Sequence, residues 1–190
     1  MDMLHRAVLR TARLELRPLR ADDSNFVIAS VGRLMVSRYL SVVPHPYGRA
    51  DFDRFAQIAS PGLHWMIEAA EGPAGLISLA PRLGFWIAPE RQGQGYATEA
   101  ARAVLEAHFA DGHEKSVESG YFADNRASAA VHRALGFRTT SVVNEMCSAL
   151  GQPRALLRQR LDRDTWLRQC LAAPTSRFAA HPAAYNQGPA

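Results

Sequence analysis

Residues 83–109, LGFWIAPERQGQGYATEAARAVLEAHF, run from a predicted strand through a glycine-containing loop directly into a long predicted helix. The strand ends at Ala88 and Pro89, and the helix over 95–110 has its apolar residues on one stripe and charged residues opposite. The loop exposes several backbone N–H groups at the helix N-terminus, where the helix dipole adds roughly half a positive charge. Because glycine lets an anion approach the backbone closely, the sequence predicts a pyrophosphate or similar anion on this loop.

Two other phosphate-binding motifs do not fit this stretch. A dinucleotide-binding loop needs a third glycine where GQGYAT has Ala97 and Thr98, and no strand with an acidic end follows about 20 residues later. A Walker-type loop needs a lysine after a run of glycines, but the only lysine in the sequence is Lys115, in HEKS. The Gly-x-Gly pair taken alone favours an ordinary strand-to-helix turn.

The segments on either side of this stretch predict an α+β fold. Before it, the pattern predicts a strand over 13–20, a helix from Asp22 or Asp23 to Val31, and a loop with two prolines over 41–48. A short helix over 49–59 and two strands over 64–70 and 74–81 follow. After it, the pattern predicts a strand over 116–122 and a helix over 126–135, between Asn125 and Gly136. Two strands over 137–143 and 154–161 and a last helix over 163–172 follow. One strand–helix–strand crossover is expected to be parallel and right-handed, beside an antiparallel meander.

Length and composition indicate one domain with a sizeable core, since the chain has 190 residues, 47% of them hydrophobic and 21% charged. We expect an N-terminal extension over 1–12, a single domain over 13–173, and a tail over 174–190 that contributes little to the core. Two cysteines, Cys147 and Cys170, are too few for a four-cysteine zinc site or a disulfide framework. No metal is expected.

Charge and hydropathy argue against nucleic-acid and membrane partners. The net charge is +4, but the arginines are scattered and not interleaved with aromatic residues, so salt-sensitive nucleic-acid binding is the weakest of the alternatives. The N-terminal sequence MDMLHRAVLRTARLELR carries a charge every few residues, unlike a signal peptide. No apolar run approaches the 18 or more residues that would span a bilayer. A cytoplasmic location is the expectation.

Three motifs in the expected order and spacing resemble the GNAT superfamily of N-acetyltransferases. Residues Gln92 to Ala97, continued by Thr98-Glu99-Ala100, are similar to its acetyl-CoA signature, Gln/Arg-x-x-Gly-x-Gly/Ala. With RLELRPLRADD near the start and NRASAAVHRALGF over 125–137, the chain resembles the subfamily that acetylates the N-termini of ribosomal proteins, over about 13–166. The resemblance implies a mixed, mostly antiparallel sheet of six or seven strands flanked by helices, splayed between the fourth and fifth strands, where acetyl-CoA binds.

The same resemblance implies which residues bind the cosubstrate. Main-chain groups at the strand end and the side chain of Asn125 would contact the pantetheine arm, and the loop would bind the pyrophosphate; these are Trp86, Ile87 and Ala88 for the strand end, and Gln92, Gly93, Gln94, Gly95, Tyr96 and Ala97 for the loop. The implied reaction moves an acetyl group from acetyl-CoA to a primary amine, a protein N-terminus or a small amine, by direct attack on the thioester. Homodimers are common in the family, which leaves a homodimer open.

The position of the general acid departs from the commonest family pattern. Many members have a tyrosine four residues before the Gly-Phe, where this chain has His132, whereas the ribosomal subfamily uses the serine of Asn-x-x-Ser, which is Ser128 here. The two residues are four apart and share one face of the predicted helix. Two structural interpretations stay open, with Ser128 as the third residue of a capped helix and His132 as a polar residue at the edge of its apolar stripe.

A general base is needed more for a lysine-like acceptor than for a protein N-terminus. The pKa values of the two amines differ by about 2.5 units, which corresponds to about 3.4 kcal/mol. Glu145 is the only carboxylate between Asp124 and Asp162, in the predicted loop between the last two strands where the subfamily's base is thought to lie. Glu68 and Glu118, on predicted strands, are the other candidates, and a solvated surface charge is the commoner role for all three.

Two further expectations concern function. A CoA-binding protein with this fold and no transferase activity, acting as a sensor or interaction module, is the alternative to an enzyme. Recognition of the acceptor is expected from the first helices, the PHPYG loop over 44–48 and the segment 144–153, all predicted to be irregular or idiosyncratic.

Overall fold

One mixed sheet runs through the structure, a computed structural model that describes residues 8–110 and 112–172. Its eight strands, within those residues, lie in the order β1-β2-β3-β4-β5-β6-β8-β7, and every neighbouring pair is antiparallel except β5 and β6. The strands are β1 (Leu9–Arg10), β2 (Leu14–Arg17), β3 (His64–Ala69), β4 (Gly72–Leu79), β5 (Leu83–Ile87), β6 (Ser116–Phe122), β7 (Arg138–Cys147) and β8 (Gln152–Asp162). The predicted α+β class is confirmed, with one strand more than expected because the two-residue β1 pairs with β2.

Six α-helices flank the sheet in the described residues: α1 (Ser24–Val31), α2 (Leu34–Ser37), α3 (Arg49–Ile58), α4 (Tyr96–Phe109), α5 (Arg126–Ala134) and α6 (Arg163–Ala172). Five of them were predicted within one or two residues of these bounds. The sequence gives no indication of α2, because a four-residue helix is too short to show helical periodicity. The predicted tail over 174–190 and residues 1–7 of the predicted extension lie outside the described residues.

The sheet buries a separate apolar cluster on each face. Along β3, Met66 packs with Val27 and Phe52 of the N-terminal helices, whereas its neighbour Ile67 belongs to the cluster under α4. Successive side chains of a strand point to opposite faces, so a strand covered on both sides reads as an apolar run. Within the described part of the chain, no helix has the length and apolar character that crossing a membrane requires.

The sheet opens between β5 and β6, which are the fourth and fifth of the predicted strands because the short β1 was not predicted. This is the position of the predicted splay. Within the described residues these parallel strands pair at one position, Leu83 with Ser119. The Ser119 hydroxyl oxygen lies 2.7 Å from the Leu83 carbonyl oxygen, at the closed end of the gap. Towards its C-terminal end, β5 has a partner on the β4 side alone.

The prediction that 144–153 is irregular was wrong. Strand β7 extends to Cys147 and β8 begins at Gln152, so only a four-residue turn separates them. Proline is tolerated at Pro153 because this part of β8 pairs with β7 on one side, while the β6 partners begin at Leu156. Glu145 therefore lies on a strand, not in a loop.

A buried ionic cluster joins the start of the sheet to the first helices. The Arg17 guanidinium donates to both carboxylate oxygens of Asp23, at 2.9 and 2.7 Å, and also to Glu68 on β3. Arg17 and Asp23 are 6% and 5% exposed, and Asp23 also accepts the Arg20 amide at 2.7 Å. The pKa of Arg17 is raised by the hydrogen bond to Asp23 against the opposing effect of burial, so the guanidinium stays charged.

Replacing Asp23 should destabilise the fold strongly, because Asp23→Ala leaves a buried guanidinium without this partner. We expect the free energy of unfolding to fall by about 3–5 kcal/mol, measured by urea denaturation. The control is Asp53→Ala, which removes an exposed pair with Arg49 one helical turn away and should cost about 0.5 kcal/mol or less. Equal losses of unfolding free energy in the two variants would show that the buried cluster stabilises the fold no more than an exposed ion pair does.

Candidate active site

The predicted anion-binding loop lies at the N-terminus of α4. Gly93 and Gly95 have φ of +76° and +81°, a conformation that costs glycine little, and Gly95 is the N-cap of the helix. Among the described residues, no group accepts a hydrogen bond from the backbone amides of Gly93 to Ala97. A Cβ atom added at Gly93 would meet nothing within 4 Å. The amides are therefore both unengaged and accessible, which is the condition for an anion to bind there.

The turn between β1 and β2 holds this loop in place, which sequence analysis did not foresee. Arg13 donates to the Gln94 carbonyl at 3.1 Å and, through Nε, to the Glu99 carboxylate at 2.7 Å; Glu99 also accepts the Thr11 hydroxyl at 2.6 Å. Burial raises the pKa of Glu99, but the hydrogen bonds from Thr11 and Arg13 outweigh it and hold that pKa below its usual value. The half-exposed Arg13 adds a cation beside the loop.

The register of β5 determines which main-chain groups face the gap. The Ala88 amide donates to the Ala74 carbonyl of β4 at 2.9 Å. Because bonding directions alternate along an antiparallel strand, the main chain of Trp86 also turns towards β4, while that of Phe85 and Ile87 turns towards β6. Phe85 was not among the predicted site residues, although this alternation would have indicated it once the register was known.

All three predicted main-chain contacts of the strand end are altered, because the main chain of Trp86 turns towards Leu76 of β4 and hydrogen bonds within the protein engage Ala88 and Ile87. Ala88 is buried, its amide is engaged with Ala74, and its carbonyl accepts the Arg91 amide at 2.8 Å, so it does not line the cavity. The expected contribution of Ala88 is corrected accordingly. The Ile87 carbonyl accepts Gln92 Nε2 at 3.0 Å, which leaves its amide facing the gap.

A cavity of about 700 Å³ connects the loop, the gap between β5 and β6, and the face covered by α1 and α2. Asn125 and Ser128 line it beside the gap. Asn125 is the N-cap of α5, as predicted, and its Oδ1 accepts the Ser128 amide at 3.0 Å. Its side-chain amide nitrogen stays available to a ligand because the capping bond uses the oxygen alone.

His132 lies in the core behind Ser128 and is buried, so it is not merely a polar residue at the edge of the apolar stripe of the helix. It is 2% exposed, with Nδ1 2.8 Å from the Ser128 carbonyl oxygen and Nε2 2.7 Å from the Ser119 hydroxyl. Since a carbonyl can only accept, Nδ1 carries the proton. Nδ1 is also 3.3 Å from the Ser128 hydroxyl oxygen. Burial lowers the pKa of His132, although the bond to the Ser128 carbonyl opposes this effect.

The three carboxylates considered as bases lie outside the cavity, and each of them faces an arginine. Glu145, on β7, lies 3.7 Å from Arg158; Glu118 lies 3.8 Å from Arg82; and Glu68 is bonded to Arg17 in the buried cluster. None of them is among the described residues that line the cavity. The prediction for Glu145 assumed a position in a loop, whereas the residue lies on strand β7.

The comparisons with known proteins agree with this fold. A family model described as an acetyltransferase (GNAT) domain matches residues 13–138. A GNAT-family acetyltransferase from Bacillus anthracis is similar in structure, with a TM-score of 0.72 and 17% identity over 83% of this chain and 99% of that chain. Spermidine N-acetyltransferase from Vibrio cholerae, solved with CoA and spermine, has a TM-score of 0.67 and 18% identity over the same shares. RimL, the ribosomal L7/L12 alpha-N-protein acetyltransferase solved with CoA, has a TM-score of 0.67 and 18% identity, again over 83% and 99%.

Acidification should destabilise the protein through His132. Its folded-state pKa lies below the unfolded value of about 6.5, so the unfolded chain binds the extra proton and stability falls as the pH drops below about 6.5. In His132→Asn, the slope of unfolding free energy against pH between pH 7 and pH 5 should decrease by up to about 1.4 kcal/mol per pH unit. Urea denaturation across this range measures the slope.

His64 provides the matched comparison for this measurement. Burial also lowers the pKa of His64, so His64→Asn should remove a separate part of the same slope, and the double variant should lose both parts. An unchanged slope in His132→Asn would contradict the neutral, buried state of this imidazole.

Proposed function

The chain belongs to the GNAT acetyltransferase family; on that premise we propose that it moves the acetyl group of acetyl-CoA to a primary amine by direct attack on the thioester. The observation that carries this proposal is the row of unengaged amides from Gly93 to Ala97, which opens into the cavity at the splayed strands. Anion binding at a helix N-terminus explains how a pyrophosphate would be held there. A cytoplasmic location and a homodimer stay predictions.

The proposed position of the cosubstrate follows the loop and the gap. Its pyrophosphate would accept hydrogen bonds from the amides of Gly93 to Ala97, with the Arg13 guanidinium close by. The pantetheine arm would take the place of a strand partner in the gap. Phe85 and Ile87 offer main-chain groups on one side, and the Asn125 side chain offers a donor on the other.

Ser128 is the proposed general acid for the departing thiolate. It lines the cavity, whereas His132 lies behind it. Because the His132 Nδ1 proton points towards the Ser128 oxygens, the Ser128 hydroxyl hydrogen remains free to turn into the cavity. A thiol has a pKa near 8.5, so the thiolate leaves without much help and the acid contributes modestly. His132 is a positioning residue in this scheme.

One observation favours the alternative, a CoA-binding protein that acts as a sensor without transferring acetyl groups. The described residues that line the cavity include no carboxylate that could act as a base. Tight binding of CoA without turnover on any amine would support this second function.

Turnover is tested by incubating the purified protein with acetyl-CoA and a panel of primary amines, following thiol release and product mass. We expect acetylated product, and in Ser128→Ala a kcat lower by about tenfold with little change in KM. Ser148→Ala is the control, since its exposed hydroxyl donates to the Ser41 carbonyl and does not line the cavity. Absence of acetylated product with every amine would contradict the transferase proposal.

Binding of the cosubstrate is tested separately at Gly95. Gly95→Glu places a carboxylate and a strained left-handed residue among the loop amides, and should weaken CoA binding at least a hundredfold in calorimetry. Gly151→Glu makes the same change at another positive φ, +63°, in the turn between β7 and β8, and should leave CoA affinity unaltered. Similar affinities in the two variants would show that the loop does not bind CoA.

A further inference from the structure

The half of the cavity beyond the gap is lined largely by apolar side chains, with the hydroxyl groups of Tyr39, Ser41 and Tyr47 among them. It is bounded by the sheet face that carries Leu76 and by α1, α2 and the segment that follows them. Branched aliphatic and aromatic side chains from these elements line it, among them Val31, Val36, Tyr39, Val43 and Phe55. Several of them also pack in the apolar cluster around Phe52 and Met66, so the wall continues the core of this face.

The charges along the cavity are those of two arginines that already face carboxylates. Arg82 lies 3.8 Å from Glu118, and Arg91 lies 3.7 Å from the Glu71 carboxylate and donates to its carbonyl at 2.7 Å. Among the described lining residues there is no aspartate or glutamate. An ammonium group held against this wall would lose its hydration without gaining an ion-pair partner, which is strongly unfavourable.

We propose that the acceptor is a small monoamine with an aliphatic or aromatic body and no second charge, an inference that rests on the proposed transferase function. The largely apolar lining favours burial of such a body. A polyamine would leave further ammonium groups unpaired in the same space. A peptide would bring backbone amides and carbonyls, each of which needs a hydrogen-bond partner, against a lining that offers few hydroxyl groups.

The same walls bear on how the amine loses its proton. Transfer of an amine from water to apolar surroundings disfavours its charged form and lowers its pKa, so the neutral nucleophile becomes more abundant without a carboxylate base. The amine nitrogen then bonds to the thioester carbonyl carbon, and the C–S bond breaks with its electron pair on sulfur. The sulfur takes the Ser128 hydroxyl proton, which water restores, and the surplus amine proton passes to water at the cavity mouth.

Hexylamine and 1,6-diaminohexane are a matched pair that differ in one terminal charge. We expect the wild-type protein to bind hexylamine at least tenfold more tightly in calorimetry and to acetylate it with at least tenfold higher kcat/KM. A tripeptide with a free serine N-terminus should be as poor an acceptor as the diamine. Binding is measured with and without saturating CoA, so that the amine preference is obtained whether or not the protein binds CoA or turns over.

A carboxylate introduced at the cavity mouth should reverse the preference. Met35 lines the cavity and is 57% exposed, so Met35→Glu is compatible with folding and supplies a partner for the second ammonium. Met146 is 53% exposed on β7 and does not line the cavity, so Met146→Glu is the matched control and should keep the wild-type preference. Equal or tighter binding of the diamine or the tripeptide by the wild-type protein would overturn this proposal. Loss of CoA binding, by contrast, would contradict the proposed function.

Discussion

The separation of β5 from β6 is the constraint on which the site depends. A sheet normally satisfies the backbone groups of each strand with the next one, yet β5 has a single paired position on this side, Leu83 with Ser119. The main-chain groups of Phe85 and the amide of Ile87 are left facing an opening in the middle of the protein. An opening at this place is suited to an extended ligand that can bond to a strand edge.

The loop at the start of α4 depends on contacts made far away in the sequence. Two left-handed glycines direct the amides outward, but the position of the loop relative to the sheet is fixed by Arg13, Thr11 and Glu99. Because β1 and β2 form a hairpin that pairs with β3, this contact transmits the position of the first strands to the anion-binding loop. Its charges are balanced locally, since Glu99 neutralises much of Arg13.

Sequence patterns predicted what local chemistry controls. The Gly93 and Gly95 turn, the Asn125 cap and the α4 stripe each depend on residues within one or two turns, and each was recognisable. What failed depends on pairing between distant segments. Ala88 does not line the cavity because its amide bonds to Ala74, and Glu145 lies on a strand because β7 extends further than predicted. Neither the Ala74 partner nor the strand that pairs with β7 can be identified from local residue spacing. The burial of His132 likewise follows from β6, which supplies Ser119.

Two acceptors near His132 share a single hydroxyl hydrogen. The Ser119 hydroxyl lies 2.7 Å from both the Leu83 carbonyl and the imidazole Nε2, and its single hydrogen can satisfy one of them at a time. The Leu83 carbonyl, at the single paired position of β5 and β6, and the His132 imidazole therefore compete for the same hydroxyl hydrogen. A rotation of one hydroxyl about its C–O bond exchanges these two states, and so links the closed end of the gap to the helix that carries Ser128.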